Sequence, residues 1–351
     1  MASEASMTKD TILAAIAENP KARPRDLADK LDLPEAALVN AQLGAGAMRL
    51  EAALTRLVPA ICTLGEVMAL TRNESAVHEK IGVYDNFHPG DHASMVLTQD
   101  IDLRIFPRHW AHAFAVEKEV DGAIRRSIQV FDAAGDAVHK VILRDRSNLA
   151  AWNLILRDLK GPEVDPIFAP RDPVEGAKGD VGKADILRRE WDRMTDTHQF
   201  LRLTAKLKMN RLGAYRMVGG PHAMALAPDA LNAALVAMSE TTTPVMIFVG
   251  NRGCIQIHSG PINKLVPMGP WQNVMDPGFN LHLRADHVAE VWLVDKPTKR
   301  GPAVSIEAFD ARGMLILQCF ALRKEGGEDQ SAQFRALTDA LPRHNPEEAL
   351  A

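Results

Sequence analysis

The second half of the chain repeats the first at a constant offset in residue number, and this repeat constrains the fold more than any other feature. The aligned pairs include Phe131 with Phe309, Asp132 with Asp310, Gly135 with Gly313, Lys118 with Lys296 and Asn73 with Asn251. Most matched positions are apolar or turn residues, which maintain a fold. A period this long exceeds that of a solenoid repeat, so the sequence predicts two copies of one domain.

Length and composition agree with a two-domain globular protein. The 351 residues fit two domains of roughly 150 residues each. A net charge of −4 provides no general attraction to nucleic acid or to anionic membranes. The first ten residues lack the apolar stretch of a secretory signal, and no run of about 18 apolar residues occurs. The three cysteines are isolated, as in a reducing compartment. We therefore expect a cytoplasmic protein without a membrane span.

The hydrophobic pattern predicts an α+β fold in which each copy has helices, then an antiparallel sheet, then a closing helix. Predicted strands in the first copy are 83–84, 94–97, 102–106, 113–116 and 126–130, followed by a helix at 149–159. The second copy has helix at 186–217, strands at 245–249, 254–258, 280–283, 288–294, 304–308 and 314–322, and a helix at 332–341. Residues 1–160 form the first repeat, 161–185 a linker rich in proline and glycine, and 186–351 the second repeat.

Two common classes of protein are disfavoured by the pattern. The chain lacks βαβ alternation and a glycine-rich phosphate loop, which argues against a doubly wound nucleotide-binding fold. Residues 25–41 resemble a helix-turn-helix, but the second helix at 34–41 has no cationic side chain to contact phosphates. A helix-turn-helix regulator is therefore a remote alternative, and we expect no nucleic-acid partner.

His198 is the most suggestive candidate ligand. Thr195, Asp196 or Thr197 can cap a helix, which places His198 in its first turn. The positive end of the helix dipole disfavours imidazolium and keeps the ring neutral, as binding to a metal or haem iron requires. When Lys30-Leu31 is aligned with Lys206-Leu207, the first copy has Ala22 at the position of His198. A histidine beside a helix cap is also a common structural residue, so both interpretations stay open.

Arg104 is a second candidate because it lies within the predicted strand at 102–106, opposite His282 in the repeat alignment. On a half-buried strand, an arginine that simply points to solvent is the alternative. With these residues the chain resembles the HemS/ChuS/PhuS family of haem-handling proteins, also called haemin-degrading factors. The resemblance covers nearly the whole chain, and its most specific stretches are 248–261, 280–298, 102–106 and 196–200.

The resemblance implies an internally duplicated fold that binds one non-covalent haem b in a cleft between the core sheets and helices of the other lobe. It implies that His198 is the proximal iron ligand and that Arg104 faces the iron from the other side through water. The aromatic pocket residues implied are Phe106 and Phe248, and the propionate contacts implied are Arg211, Lys296, Gln318 and Arg323. A tyrosine expected near the propionates is replaced here by Leu317.

Two functions follow from the resemblance. In the first, the protein takes part in haem uptake and iron acquisition, receives imported haem, and delivers it to an acceptor such as a haem oxygenase. In the second, it opens the porphyrin ring itself, as a haem oxygenase-like enzyme. The sequence has no flavin or nicotinamide motif, so the second function requires an external electron donor. Both hypotheses predict haem binding, and they differ in what happens to the haem afterwards.

Overall fold

The computed structural model describes residues 7–162, 165–323, 327 and 329–344. The helices are α1 (Lys9–Glu18), α2 (Pro24–Lys30), α3 (Glu35–Ala41), α4 (Leu54–Cys62), α5 (Leu149–Asp158), α6 (Ala184–Asp192), α7 (Gln199–Leu207), α8 (Arg211–Val218), α9 (Ala230–Thr241) and α10 (Ser331–Asp339). The strands of the first half are β1 (Ala47–Leu50), β2 (Glu66–Arg72), β3 (Ala76–Val83), β4 (Phe87–His88), β5 (Ser94–Leu97), β6 (Asp102–Ile105), β7 (His112–Val120), β8 (Ala123–Phe131) and β9 (Ala137–Leu143). Those of the second half are β10 (Ala223–Leu226), β11 (Val245–Gly250), β12 (Cys254–Gly260), β13 (Trp271–Asp276), β14 (Phe279–Arg284), β15 (Glu290–Lys296), β16 (Ala303–Phe309) and β17 (Leu315–Ala321). The predicted α+β class with large antiparallel sheets is confirmed.

The chain divides into two compact units. The first contains residues 1–72, 79–172 and 251–256, and the second contains residues 73–78, 173–250 and 257–351. Each unit thus includes a short segment from the other half of the sequence, Asn251–Gln256 in one and Asn73–His78 in the other. The two segments match in the same alignment that pairs Phe131 with Phe309, so the division itself follows the repeat.

In the first unit, five strands pair antiparallel in the order β1-β7-β8-β9-β2. One face of these strands packs against α4 and α5 in an apolar core around Trp152, which is 1% exposed. Strands β4, β5 and β6 form a separate antiparallel run.

The second unit repeats this arrangement, with five strands in the order β10-β15-β16-β17-β11. Helices α9 and α10 cover one face with an apolar core that includes Leu235 and Phe334. Helices α6, α7 and α8 pack on the other face through Trp191, Phe200 and Tyr215, against Trp292 and Val294 of β15. That second face carries the candidate site.

Equivalent asparagines confirm the repeat alignment at the level of single hydrogen bonds. In the second unit, Asn73 Oδ1 accepts from the backbone N of Ser75 and Ala76, while its Nδ2 donates to Gly250 O and Ile316 O. In the first unit, Asn251 Oδ1 accepts from the backbone N of Gly253 and Cys254. Its Nδ2 donates to Arg72 O and Val138 O, which are the repeat equivalents of Gly250 and Ile316.

The hairpin turns of the two copies are also equivalent. Asp132 Oδ1 accepts from two backbone N–H groups in the β8–β9 turn, and Asp310 Oδ1 does the same in the β16–β17 turn. Gly135 and Gly313 both have φ of 82°, a left-handed conformation that favours glycine. The carboxylate and the glycine of the shared motif therefore build the same turn twice.

The helical segments of the two copies align at a slightly shorter offset in residue number than the strands do. This shorter offset matches Lys30 with Lys206. Ala47 pairs with Val116, whereas Ala223 pairs with Val294, so the chain between these paired strands is slightly longer in the second copy. This register supports the alignment that places Ala22 opposite His198. The helical spacing of apolar residues over 48–57 predicts a helix there, but this prediction is wrong in its first part, because residues 48–50 belong to β1 and pair with β7. The predicted helix at 186–217 is divided into α6, α7 and α8.

The segment predicted as a linker is irregular over most of its described residues, and its last part is held to α8. Asn210 caps α8 through its Oδ1, which also accepts from Lys178 N at 2.9 Å. The Nδ2 of Asn210 donates to Gly176 O at 2.7 Å. Across the described ranges, no helix is both long and apolar enough to cross a membrane.

Candidate functional site

His198 lies at the surface of the second unit, at the amino end of α7. It is the N-cap residue of this helix, with φ −68° and ψ −19°, so the prediction that it lies in the first turn is wrong by one residue. The side chain of His198 makes no capping hydrogen bond to α7 and is instead bonded to Asp196 Oδ1. That oxygen accepts from the backbone N of His198 and from its ring Nδ1, both at 2.7 Å. The side chain of His198 is 91% exposed.

This hydrogen bond determines which ring nitrogen is available. An ionised carboxylate only accepts, so Nδ1 of His198 carries a proton, and in the neutral ring Nε2 then retains its lone pair. The backbone N of His198 is the first cause of the lowered pKa of Asp196, and the His198 ring is the second, so the carboxylate form is favoured. Within the described part of the chain, the hydrogen bonds of the His198 ring are at Nδ1. In the neutral ring this tautomer presents an exposed Nε2 with its lone pair available.

The turn that carries His198 is fixed from both sides. Gln199 Oε1 accepts from the backbone N of Thr195 at 2.8 Å, and Gln199 Nε2 donates to Thr195 Oγ1 at 3.2 Å. Lys299 N donates to Thr195 O at 3.0 Å. Three residues after His198, Leu201 is an apolar side chain that is 57% exposed. Leu201 was not predicted from the sequence, although its separation of three residues from His198 places both on the same helix face.

Phe248 and Gln318 are brought together on one face of the sheet. They are direct partners across β11 and β17, and residues paired in this way point to the same side. Both are half-buried. Phe320, two residues after Gln318, shares this face, and its ring centroid lies 5.1 Å from that of Phe248 in a T-shaped contact. The sequence analysis missed Phe320, although the two-residue period of a strand relates it directly to Gln318.

Leu317 lies on the opposite face. It is fully buried in the apolar core formed with α9 and α10. A tyrosine at this position would point into that core and away from Gln318. Because successive side chains of a strand alternate between the two faces, Leu317 does not share the face of Gln318 and Phe320.

Arg211 and Lys296 meet at a buried carboxylate, Glu307, which is the strand partner of Gln318. Glu307 Oε2 accepts from Arg211 at 2.8 Å and from the Tyr215 hydroxyl at 2.8 Å. Its Oε1 accepts from Lys296 Nζ at 2.7 Å and from Ser305 Oγ at 2.9 Å. Glu307 was not predicted from the sequence, because its partners lie on three different elements. We refer to Arg211, Tyr215, Lys296, Ser305 and Glu307 as the Glu307 cluster.

Charge and burial compete within this cluster. Burial raises the pKa of Glu307, but the charges of Lys296 and Arg211 overcome it and lower the value to about 2. Burial lowers the pKa of Lys296 and raises that of Tyr215 well above its usual value. With one carboxylate and two cations, the ionised cluster has an excess of one positive charge. This excess suits one carboxylate of a bound ligand.

The two cations differ in accessibility. The side chain of Arg211 is 22% exposed, whereas that of Lys296 is 3% exposed. Lys296 Nζ lies 5.0 Å from the centroid of the Phe200 ring and donates to the Tyr215 hydroxyl at 3.0 Å. In its observed position Arg211 can therefore contact a bound ligand, whereas Lys296 contributes positive charge to the Glu307 cluster. A direct propionate contact by Lys296 remains a prediction.

Arg323 follows β17 and is mostly buried, with a side-chain exposure of 16%. It donates to the backbone oxygens of Arg300 and Pro302, and its Nε lies 3.6 Å from Asp329 Oδ2. These bonds hold the loop after β17 to the loop before β16. The predicted propionate contact by Arg323 would have to be made in addition to them.

Arg104 and Phe106 belong to the first unit. Arg104 lies on β6 opposite Met95, is 33% exposed, and forms an ion pair with Asp102. Burial raises the pKa of Asp102 in spite of the Arg104 charge. Phe106 follows the strand, and its backbone N donates to Gly253 O at 3.0 Å. Arg104 and Phe106 are two residues apart, so in extended backbone their side chains lie on the same face, and both are half-buried.

Comparisons with known proteins give one consistent relationship. The haemin-degrading HemS.ChuX domain matches residues 32–159 and 208–341. The hemin transport protein HmuS of Yersinia pestis is 38% identical over 323 residues, which cover 90% of this chain and 92% of HmuS. The fold is similar to that of holo-PhuS, a heme-binding protein from Pseudomonas aeruginosa. In that comparison the TM-score is 0.90 and the identity 38%, over 96% of this chain and 98% of PhuS.

The structure of ChuS, described as an Escherichia coli heme oxygenase, is also similar. Its TM-score is 0.86 and its identity 34%, over 94% of this chain and 99% of ChuS. The relatives thus include proteins named for transport, for binding and for oxidation of haem.

Proposed function

Because the chain belongs to the haemin-degrading HemS.ChuX family, we propose that it binds one non-covalent haem b, and that His198 Nε2 would hold the iron. The observation that carries this proposal is the exposed His198 ring, whose Nδ1 is bound to Asp196 and whose Nε2 is left available. A single imidazole is too few ligands for a bare metal ion, whereas haem supplies four nitrogens of its own.

The residues around His198 suit the rest of the haem molecule. Haem is a large apolar disc with two carboxylates at one edge, so it needs apolar walls and a few cations. Phe248, Phe320 and Leu201 provide exposed or half-exposed apolar surface in the second unit. Arg211 offers a partly exposed guanidinium to a propionate, and Gln318 offers an amide.

Arg104 and Phe106 of the first unit are proposed from the family resemblance as further residues that contact the haem. Arg104 acts through water, and Phe106 supplies an aromatic wall. When bound, haem supplies an iron centre that can bind oxygen and change oxidation state, and the protein sets its access and polarity.

We propose haem transfer as the primary function: the protein receives imported haem and passes it to an acceptor, such as a haem oxygenase. Its similarity to HmuS, a hemin transport protein, supports this function. Ring opening with an external electron donor is the second candidate, and the similarity to ChuS, described as a heme oxygenase, supports it. Incubation of the haem complex with ascorbate and catalase separates the two. Intact haem supports transfer, and conversion to a bilin-type product supports the enzyme.

The test of haem ligation is a titration of haem into wild-type protein and into His198→Ala. We expect His198→Ala to weaken binding and to change the Soret band, because the axial base is removed. His92→Ala is the control, since His92 is an exposed histidine of the first unit. An unchanged spectrum and affinity in His198→Ala would exclude His198 as the ligand.

A further inference from the structure

We propose that Asp196 is a positioning residue for haem: it selects the tautomer of His198 and fixes the direction of the ring, so that Nε2 is ready to bind iron. The inference rests on the proposed function, in which His198 is the ligand. It assigns to Asp196 a role in preparing the ligand without contact with the haem itself.

The geometry at Asp196 supports this role directly. One carboxylate oxygen accepts from both the backbone N and the ring Nδ1 of His198, each at 2.7 Å. Two donors of the same residue that converge on one oxygen leave the His198 side chain little rotational freedom. The backbone of Asp196 is itself held in place, because its carbonyl oxygen accepts from Gln199 N at 3.1 Å in the first turn of α7.

Burial cannot replace this hydrogen bond. The side chain of His198 is 91% exposed and that of Asp196 is 57% exposed, so packing does not fix the imidazole ring. Without an acceptor at Nδ1, the proton is free to move to Nε2, which then cannot bind iron until it is deprotonated. The Asp196 carboxylate therefore reduces the free-energy cost of orienting the His198 ring and of selecting its tautomer before haem binds.

The repeat gives independent support. In the alignment set by β1 and β10, which matches Ala47 with Ala223, Asp196 is opposite Pro20 and His198 is opposite Ala22. Proline has no side-chain acceptor and alanine has no ligand atom. The ligand and the residue that orients it thus occur together in one copy and are both missing from the corresponding positions of the other.

The interaction also has an electronic consequence. A carboxylate that accepts the Nδ1 proton increases the electron density of the imidazole and makes it a stronger donor to iron. A stronger donor stabilises the ferric state relative to the ferrous state. Asp196 is therefore expected to keep the reduction potential of the bound haem low.

The experiment compares wild-type protein with Asp196→Ala, Asp196→Asn and the control Asp185→Ala. Asp185 is 96% exposed and lies at the start of α6. In the haem-free proteins, nitrogen NMR of the His198 ring reports the tautomer. We expect Nδ1–H in wild type and in Asp185→Ala, and a mixture with Nε2–H in Asp196→Ala. Circular dichroism checks that each variant is folded.

In the haem complexes, we expect Asp196→Ala to reduce affinity by roughly 10- to 100-fold, the usual effect of removing an outer-shell partner of a ligand. The reduction potential should become more positive in Asp196→Ala. Asp196→Asn keeps an acceptor oxygen but removes the charge, so it should retain the tautomer and still raise the potential. Wild-type tautomer, affinity and potential in Asp196→Ala would overturn the positioning role. An unchanged haem spectrum in His198→Ala would instead overturn the proposed function.

Discussion

Replacement of Glu307 by glutamine tests whether the Glu307 cluster stabilises the second unit. In wild type, Glu307 is fully buried and accepts four hydrogen bonds, from Arg211, Tyr215, Lys296 and Ser305. Glutamine retains the shape but leaves two cations without their counter-ion, one of them almost completely buried. Breaking a buried ion pair in this way costs about 3–5 kcal/mol.

The lowered pKa of Glu307 makes its contribution to stability depend on pH. Its value falls from 4.5 to about 2 on folding. Each pKa unit corresponds to about 1.4 kcal/mol, so the ionised form contributes on the order of 3 kcal/mol. Because the pKa is lower in the folded state, this contribution is fully present above pH 4.5 and is lost as the pH falls towards 2.

The assay is chemical denaturation, with the free energy of unfolding extrapolated to water for wild type and Glu307→Gln at several pH values. We expect a difference of about 3 kcal/mol at neutral pH that becomes smaller below pH 4.5. The control is Glu74→Gln, whose carboxylate is 52% exposed and pairs with Arg312, and we expect it to change stability by less than about 1 kcal/mol. A difference below about 1 kcal/mol for Glu307→Gln, or one that does not depend on pH, would refute the reasoning.

Two further predictions concern the repeat. Asn73→Ala and Asn251→Ala should each destabilise the protein by roughly 2–3 kcal/mol, because each removes an equivalent set of four hydrogen bonds; clearly unequal losses in thermal unfolding would contradict the equivalence. Gly135→Ala should destabilise the protein more than Gly313→Ala does. Both glycines have φ of 82°. A Cβ at Gly135 would lie 2.7 Å from the side chain of Pro34, whereas at Gly313 the nearest atom would be 3.3 Å away. Equal denaturation midpoints for the two glycine variants would contradict this order.

Much of the fold could be predicted because it is encoded in local sequence and because the same motifs occur in both copies. The motif that contains Asp132 and Gly135 recurs at Asp310 and Gly313, and both copies form the same turn. Strand β5 has the predicted bounds. Strand β1 was not predicted, because four residues are too few to show a two-residue period and its pairing with β7 is a tertiary contact. Helix α9 was also missed, although its alanines and leucines favour a helix.

The candidate site was harder to predict from the sequence than the fold. His198 was identified, but its hydrogen bond to Asp196 depends on the turn geometry before α7. Lys296 was predicted as a ligand contact, yet the structure places it beside Glu307, eleven residues away on the neighbouring strand. A pattern of charges along the chain does not reveal which of them meet in the folded protein. Such pairings follow from strand register, which only the complete sheet determines.

The central claim is that His198 Nε2 binds the iron of haem, and the most direct measurement is resonance Raman spectroscopy of the ferrous haem complex. The account predicts an iron–imidazole stretching band in wild type that shifts when histidine is labelled with heavy nitrogen. The band should be lost in His198→Ala and retained in His92→Ala. A labelled-histidine shift that persists in His198→Ala would show that another histidine binds the iron and would contradict the account.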